Sequence, residues 1–411
     1  MRRISTIIIG AGQAGLAASR CLSERSVPHV VLERGDIANS WRTERWDSLR
    51  LLTPNWQTRL PGHAYAGPDP DGFMAMPEII AFLGDYAAAI AAPVETRTSV
   101  LSVTADGDGY RVATDRRDWV CSNLIVASGA CNIANVPGLA AAVPDGVTQL
   151  TPFQYRGPGQ LSDGGVLIVG ASATGVQLAA EIRATGREVM LSAGEHIRMP
   201  RHYRGRDIQW WMDGAGIQSM TIDEVDDISR ARRVPSLQLV GSAERQFLDI
   251  NALRAQGVAI VGRLAGIRDG VAQFSGSLAN HCALSDLKMN RLLAALDDWA
   301  ETRELTGLRP VERFAPTDCP SAPQLSCNLE DGRYRTVIWA TGFRPDHRWL
   351  ELPVFDAKRR LVHRGGHVAQ GLFVLGLPFL RKRNSALIDG VGADAEAVAD
   401  HIARTRGRLA A

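Results

Sequence analysis

No two cysteines stand in C-x-x-C spacing. The six, Cys21, Cys121, Cys131, Cys282, Cys319 and Cys327, are scattered along 411 residues. That spacing excludes a C-x-x-C redox dithiol and a cysteine-based metal knuckle. Single, dispersed thiols suit a reducing compartment, so the expected location is the cytoplasm. The nine histidines, among them His29, His63, His196 and His202, fall at no ligand spacing, and no metal is expected. An excess of one charge sign is also missing. Lys and Arg number 46 against 44 Asp and Glu, a net charge of +2. Nothing here resembles the electrostatic footprint of a nucleic-acid binder. Arg381-Lys382-Arg383 reads as a local anion contact or a solvated surface. Long apolar runs are absent too. The stretch Ile4 to Ile9 after Met1-Arg2-Arg3 falls far short of the ~20 residues of a membrane span. The basic segment Ala403 to Arg408 carries no apolar anchor, so a soluble chain without membrane contact is expected.

What is present is enough apolar side chain, 45% of residues, for large cores without disulfide or metal staples. The length suggests two or three domains at about 100–200 residues each. Residues 4–9 are β-branched and apolar, as in a central parallel strand. The turn Gly10-Ala11-Gly12-Gln13-Ala14-Gly15 follows, and residues 13–24 then show helical apolar spacing. A second strand, Val30-Val31-Leu32, ends at Glu33, with Arg34 beside it. A structured loop is expected over 53–77 and a helix over 77–91. Short strands are expected near 98–104, 109–114 and 118–121, and a separate strand at Leu124-Ile125-Val126 leads into Ala127-Ser128-Gly129. The pattern restarts with Gly165 to Val169, a second turn from Gly170 to Gly175, a helix over 173–184 and a strand at 188–192. Thr336 to Trp339 leads into Ala340-Thr341-Gly342, echoing residues 124–129. Leu372 to Leu375 and a helix near 391–405 return to the first unit. The elements over 194–330 cannot be ordered from the sequence. This reads as an α/β chain of two Rossmann-like dinucleotide-binding domains, the second inserted in the first. The boundaries are 1–155 and 336–411 for the first domain and 156–335 for the second.

In the first turn Gly10 permits the tight bend, Gly12 lets a pyrophosphate approach the backbone, and Gly15 allows helix to pack on strand. Gln13 and Ala14 open the helix, whose free N–H groups favour an anion. Glu33, 18 residues past Gly15, is placed to accept from both ribose hydroxyls. These features point to FAD. The second turn, with Gly170, Ser172, Ala173, Thr174 and Gly175, has the same form, but its following strand ends at Ser192-Ala193-Gly194 without an acid. Arg198, Arg201 and Arg204 follow instead. A missing acid with nearby arginines fits a ribose 2′-phosphate, hence NADPH; the alternative is that these arginines are surface charges. Trp210-Trp211-Met212 reads as core, or less often as the lining of an apolar pocket.

The two glycine turns together with Ala340-Thr341-Gly342-Phe343-Arg344-Pro345-Asp346 resemble the flavin-containing monooxygenase superfamily. Trp46 to Leu51 and Gly390 to Ala395 are similar to its plant YUCCA-type and bacterial branches. The resemblance implies that NADPH reduces FAD, that reduced flavin takes up O₂ as a C4a-(hydro)peroxyflavin, and that a small amine, sulfide or carbonyl substrate is oxygenated. It makes Ala127, Gly129, Ala340, Thr341 and Gly342 linkers beside the cofactors. It places Asn55, after Leu51-Leu52-Thr53-Pro54, near the flavin as the candidate catalytic residue, with Thr53 a cofactor contact; an Asx-turn after Pro54 is the competing reading. It places Trp41 and Arg42 beside FAD, although Trp41 is equally readable as core, and Val100 against the adenine. The superfamily fingerprint F-x-G-x-x-x-H-x-x-x-(Y/W) is represented only by its last residue, Tyr155. Asp145, Val147 and Thr151 occupy the other positions; the missing histidine supports the alternative of an NADPH oxidase or reductase without oxygen transfer, and a non-enzymatic flavin redox sensor is the second alternative. Beyond substrate and O₂, a homo-oligomer is the one partner left open.

Overall fold

A computed structural model describes residues 1–410, with side chains to residue 405. The basic residues beyond Thr405 lie outside the described side chains. The first unit begins with strand β1 (Arg2–Ile9), helix α1 (Gln13–Glu24) and strand β2 (His29–Leu32). Helix α2 (Met76–Ala89) has Pro77 in its first turn, where no backbone donor is required. Strand β3 (Trp119–Val126) closes this pass. Then come β4 (Gly165–Val169), α3 (Ala173–Ala184), β5 (Val189–Ala193), β6 (Ala259–Gly262), α4 (Leu278–Thr302) and β7 (Tyr334–Trp339). Strand β8 (Leu372–Val374) and helix α5 (Val391–Ala410) are the last of these elements.

Two sheets result. In the first, β1 lies between β2 and β3, all parallel, with β8 beyond β3. The antiparallel hairpin Val100–Asp106 and Gly109–Thr114 attaches to β3. In the second, β4 lies between β5 and β7, with β6 beyond β5 and Thr148–Leu150 beyond β7, all parallel. This is the two-dinucleotide-domain α/β fold the sequence pattern calls for.

Three details differ from the sequence reading. Residues 118–121 and 124–126 are one strand, not two. The polar pair Ser122-Asn123 interrupts the apolar run, but the ladder with β1 continues from Arg2–Trp119 to Ile9–Val126. Asn123 Nδ2 donates to the Ser5 carbonyl at 3.4 Å. Secondly, Thr148–Leu150 and Thr336–Trp339 belong to the second sheet, so boundaries at 155/156 and 335/336 cut strands away from it. The chain crosses instead just after β3 and β7. There Ile133–Ala134 and Phe343–Arg344 pair as a two-stranded antiparallel ribbon. Finally, the 53–77 loop holds a short 3₁₀ turn, Asn55–Gln57, and a small hairpin, Arg59–Leu60 with His63–Ala64.

A 12-residue helix such as α1 is marginal alone in water. Its buried face, Leu16, Ala17, Cys21 and Leu22, sits in the core formed by the first sheet and α5. A second core surrounds β4, α3 and β5 and takes in Trp46 from the first unit. A further apolar cluster packs Tyr203, Ile208 and Trp211 against Met289, Leu293 and Leu296 of α4. Trp210–Trp211 and Trp211–Trp299 meet edge to face there, with ring centroids 5.2 and 6.1 Å apart. The tryptophan pair is therefore core, as weighed above.

Candidate cofactor and active site

Each sheet builds the same device. Gly10 has φ of +107° and Gly170 φ of +111°, backbone that favours glycine. A Cβ on Gly10 would stand 2.6 Å from the Ala127 carbonyl oxygen, and one on Gly170 would stand 2.4 Å from that of Ala340. A Cβ on Gly15 or Gly175 would come within 1.8 Å of the Gly10 or Gly170 carbonyl oxygen, respectively. The two small-residue linkers thus lie directly behind the two glycine turns. Gly129 and Gly342, with φ of +84° and +90°, turn the chain away from each. Asn135 N–H then donates to the Gly342 carbonyl at 2.9 Å, and the Thr341 hydroxyl donates to the Asn135 carbonyl.

The middle position distinguishes the turns. A Cβ on Gly12 would meet nothing within 4 Å, so open space lies before it. Ser172 stands at the matching place in the second turn. No side chain caps α1 or α3, leaving the first-turn N–H groups of both helices for an anion. This open cradle fits the pyrophosphate of a dinucleotide at each helix start. Gln13 Oε1 accepts from Trp41 Nε1 at 3.3 Å, which holds Trp41 over the first turn of α1. Ala14 is buried beneath, and Gly376 packs on it from the loop after β8.

Glu33 is buried at the tip of β2. Its Oε2 accepts from Ala11 N–H at 2.8 Å and its Oε1 from Gly35 N–H at 2.9 Å. The remaining lone pairs are free for ribose hydroxyls. Arg34 pairs with Glu44, and Arg42 is exposed on the short helix Asn39–Thr43. Thr98 N–H donates to the Glu33 carbonyl at 2.8 Å, so the approach to Val100 runs along the tip of β2.

Asn55 is buried, with Nδ2 donating to the Asp69 carbonyl at 2.9 Å and Oδ1 without a protein partner. Thr53 is half-buried just before it. The sequence reading missed the groups around this loop. Gln57 Nε2 donates to Gln218 Oε1 at 2.8 Å, and Gln218 Nε2 donates to Gln209 Oε1. Gln57 Oε1 and the hydroxyls of Thr58 and Ser128 are buried without partners, like Asn55 Oδ1. Unpaired buried polar atoms are costly, and a polar ligand is the economical way to satisfy them. Amides scattered between residues 55 and 218 carry no spacing signal, which is why the sequence did not show them.

Arg198 and Arg201 require a correction. Neither guanidinium faces outward. Arg198 Nε donates to Asp249 and Nη1 to Asp286, at 2.7 and 2.8 Å, and Nη1 also reaches the Ala315 carbonyl. Arg201 forks onto Asp207 and donates to the Leu52 carbonyl at 2.8 Å. Both are buried, and their donors are spent. Arg204 is held by Asp297 at 2.9 Å. A desolvated arginine needs a paired acid, and these three have theirs inside the protein, so they are not available to a 2′-phosphate.

Tyr155, the surviving fingerprint residue, is buried, and its hydroxyl donates to Glu181 Oε2 at 3.1 Å. Ser48 donates to Oε1 of the same carboxylate at 2.7 Å. Glu181 on α3 therefore ties the 43–51 segment to the second unit. Burial pushes the thiols of Cys21 and Cys121 up to about 12 and that of Cys327 up to about 11; it also raises Cys131 and Cys282.

Comparison with known proteins agrees with this architecture. A family profile described as pyridine nucleotide-disulphide oxidoreductase matches residues 7–206. The chain is 31% identical over 397 residues to an uncharacterized CzcO-like oxidoreductase of Geobacillus kaustophilus, covering 96% of both chains. A flavin-containing monooxygenase structure from Stenotrophomonas maltophilia superposes with a TM-score of 0.67 at 21% identity, over 98% of this chain and 99% of that one. A crystal structure of OTEMO in complex with FAD and NADP superposes with a TM-score of 0.55 at 15% identity, over 98% and 85%. The chain belongs to the CzcO-like oxidoreductases. It is an oxidoreductase. Among the described residues no helix is long and apolar enough to cross a membrane, and no cluster of three or more His, Cys, Asp or Glu could hold a metal ion.

Proposed function

We propose that the chain is an NADPH-dependent FAD monooxygenase that oxygenates a small amine, sulfide or carbonyl compound. In this reading the first sheet, with the Gly10 turn and Glu33, holds FAD, and the second sheet, with the Gly170 turn, holds NADPH. The flavin supplies electron storage and oxygen activation at its C4a position; the protein contributes placement and exclusion of water. Gly12 and the uncapped start of α1 receive the FAD pyrophosphate. The Asn55 carboxamide, with its free Oδ1, faces the reacting region together with Gln57 and Ser128. An amide there orients a neighbouring donor without carrying charge.

What favours oxygenation over thiol–disulfide exchange is the spacing and burial of the cysteines, no two of which form a C-x-x-C pair. A disulfide reductase needs a thiolate. Burial holds five of the six thiols above their ordinary range, including Cys131, two residues beyond Gly129.

The test is to reduce the FAD-loaded protein with NADPH under anaerobic conditions and mix it with O₂. A band near ~370–380 nm, expected of a C4a-oxygenated flavin, that outlives mixing by seconds supports the monooxygenase. Immediate reoxidation with one H₂O₂ per flavin replaces it with an NADPH oxidase. Failure of NADPH to bleach the flavin removes the enzymatic pairing of the two sites.

A further inference from the structure

The correction at Arg198 and Arg201 leaves the ribose end of the second site without the cation its missing acid calls for, and the geometry supplies another. Gly10 N–H donates to the Leu32 carbonyl at 2.8 Å, and Gly170 N–H donates to the Ser192 carbonyl at 2.9 Å. These matched bonds make Ser192 the counterpart of Leu32, so Ala193 stands where Glu33 stands in the first unit. The residue after it, Gly194, has no side chain. Across Gly194 lies Arg263. A Cβ built on Gly194 would sit 3.4 Å from Arg263 Cγ and 3.5 Å from Cδ, ordinary contact distances. The arginine's stem therefore covers the bare tip of β5.

Arg263 is the first residue beyond β6, which runs parallel to β5 with Ala193 opposite Gly262. Its backbone is fixed on both sides. The Ser192 hydroxyl donates to the Gly262 carbonyl at 3.0 Å and accepts from Leu264 N–H at 2.9 Å. The Arg263 carbonyl accepts from Ser275 N–H at 2.9 Å. The side chain, by contrast, is exposed, and among the described residues no carboxylate pairs with it. Lys288, which reaches the same strand end, is held by Glu195 at 2.9 Å. Arg263 thus differs from Arg198, Arg201 and Arg204 in the property that matters: its guanidinium is unspent and its attachment is rigid.

We propose that Arg263 is the residue that recognises the ribose 2′-phosphate of NADPH. This rests on the reading that the Gly170 turn holds the nicotinamide dinucleotide's pyrophosphate. In that βαβ arrangement the adenosine ribose lies at the tip of the second strand, here Ala193-Gly194. A planar guanidinium lying over that tip can fork onto phosphate oxygens, a charge-assisted contact that an unphosphorylated ribose cannot return.

The experiment uses the FAD-loaded full chain and measures Kd for NADP⁺ and NAD⁺ by calorimetry, in wild type and in Arg263→Ala. Arg263→Ala is expected to weaken NADP⁺ about 10- to 100-fold, the range for losing a charged hydrogen bond, and to leave NAD⁺ within about twofold. Arg263→Lys should recover part of the NADP⁺ affinity, and the wild-type preference should shrink as salt rises. FAD content and far-UV circular dichroism check that the variants are folded, as expected for an exposed side chain. A variant that keeps the wild-type NADP⁺ preference, or loses both nucleotides equally, overturns the assignment of Arg263 while leaving the second glycine site intact. A wild type that binds NAD⁺ and NADP⁺ equally also overturns it, by showing that the 2′-phosphate is not recognised. Binding of neither would overturn the nucleotide reading itself.

Discussion

The two glycine turns share their first and last residues, the φ of the first glycine and the carbonyl behind it, yet differ between those ends and at the strand tip that follows. The first has Gly12 before open space and Glu33 at the strand tip; the second has Ser172 and Ala193. The shared positions are fixed by the protein's own packing, since a Cβ on Gly15 or Gly175 would strike backbone 1.8 Å away whether or not a nucleotide is bound. Of the differing positions, Gly12 touches nothing in the protein that requires it, whereas Glu33 also holds the Ala11 and Gly35 N–H groups. Glycines that answer to the fold and residues that answer to a ligand can therefore be told apart within one short motif.

That separation can be broken by experiment. The largest effect is expected from Gly12→Val. Its side chain enters space the protein does not use, so circular dichroism should be unchanged while the flavin recovered with the purified chain falls at least ~10-fold, because the pyrophosphate loses its close approach. A variant that keeps its full flavin would show that Gly12 faces solvent and not FAD. Glu33→Gln comes next. It retains an oxygen for one of the Ala11 and Gly35 donors but loses the charge, and FAD affinity is expected to fall by about 10-fold; fluorescence titration of the apoprotein measures this. Unchanged affinity would remove Glu33 from the ribose.

Tyr155→Phe should be milder. It removes one hydrogen bond to Glu181 within the second unit and should lower the thermal midpoint by an amount corresponding to about 1 kcal/mol. FAD and NADP⁺ binding should be unaltered. A selective loss of NADP⁺ would place the tyrosine in the nucleotide site instead.

The smallest effect is acid sensitivity in the region joining the first sheet. Burial, with Arg232 and His347 nearby, holds His363 down to about 4. Its ordinary value is about 6.5. Above that value neither folded nor unfolded chain protonates it, and its contribution is complete. As pH falls from 6.5 towards 4 the unfolded chain takes up the proton first, and stability is lost. His363→Gln should flatten the fall of the thermal midpoint in that window. An identical fall in wild type and variant would mean that other groups carry the acid response.

The repeated strand–turn–helix units were legible because their signals are local. Glycine at fixed offsets and β-branched runs gave α1, α3 and β4 to the residue, and the acid after β2 marked the strand tip proposed to meet the first ribose. What stayed hidden depends on contacts between distant residues. Nothing local says that Arg198 meets Asp249, or that Arg201 meets Asp207 and Leu52. An arginine near the right strand was therefore read as free when it was spent. Arg263 lies 70 residues beyond Ala193, and only the parallel pairing of β5 and β6 brings them together. The tie through Glu181 and the chain of Gln57, Gln218 and Gln209 were invisible for the same reason.

The ribbon of Ile133–Ala134 with Phe343–Arg344 sets the mechanics of the molecule. Two separate crossings would let the units slide past one another. Paired in register, they behave as one pin. Sliding one crossing past the other must break the ladder between Ala134 and Phe343. The two crossings are thereby held side by side, next to the carbonyls that lie behind both glycine turns.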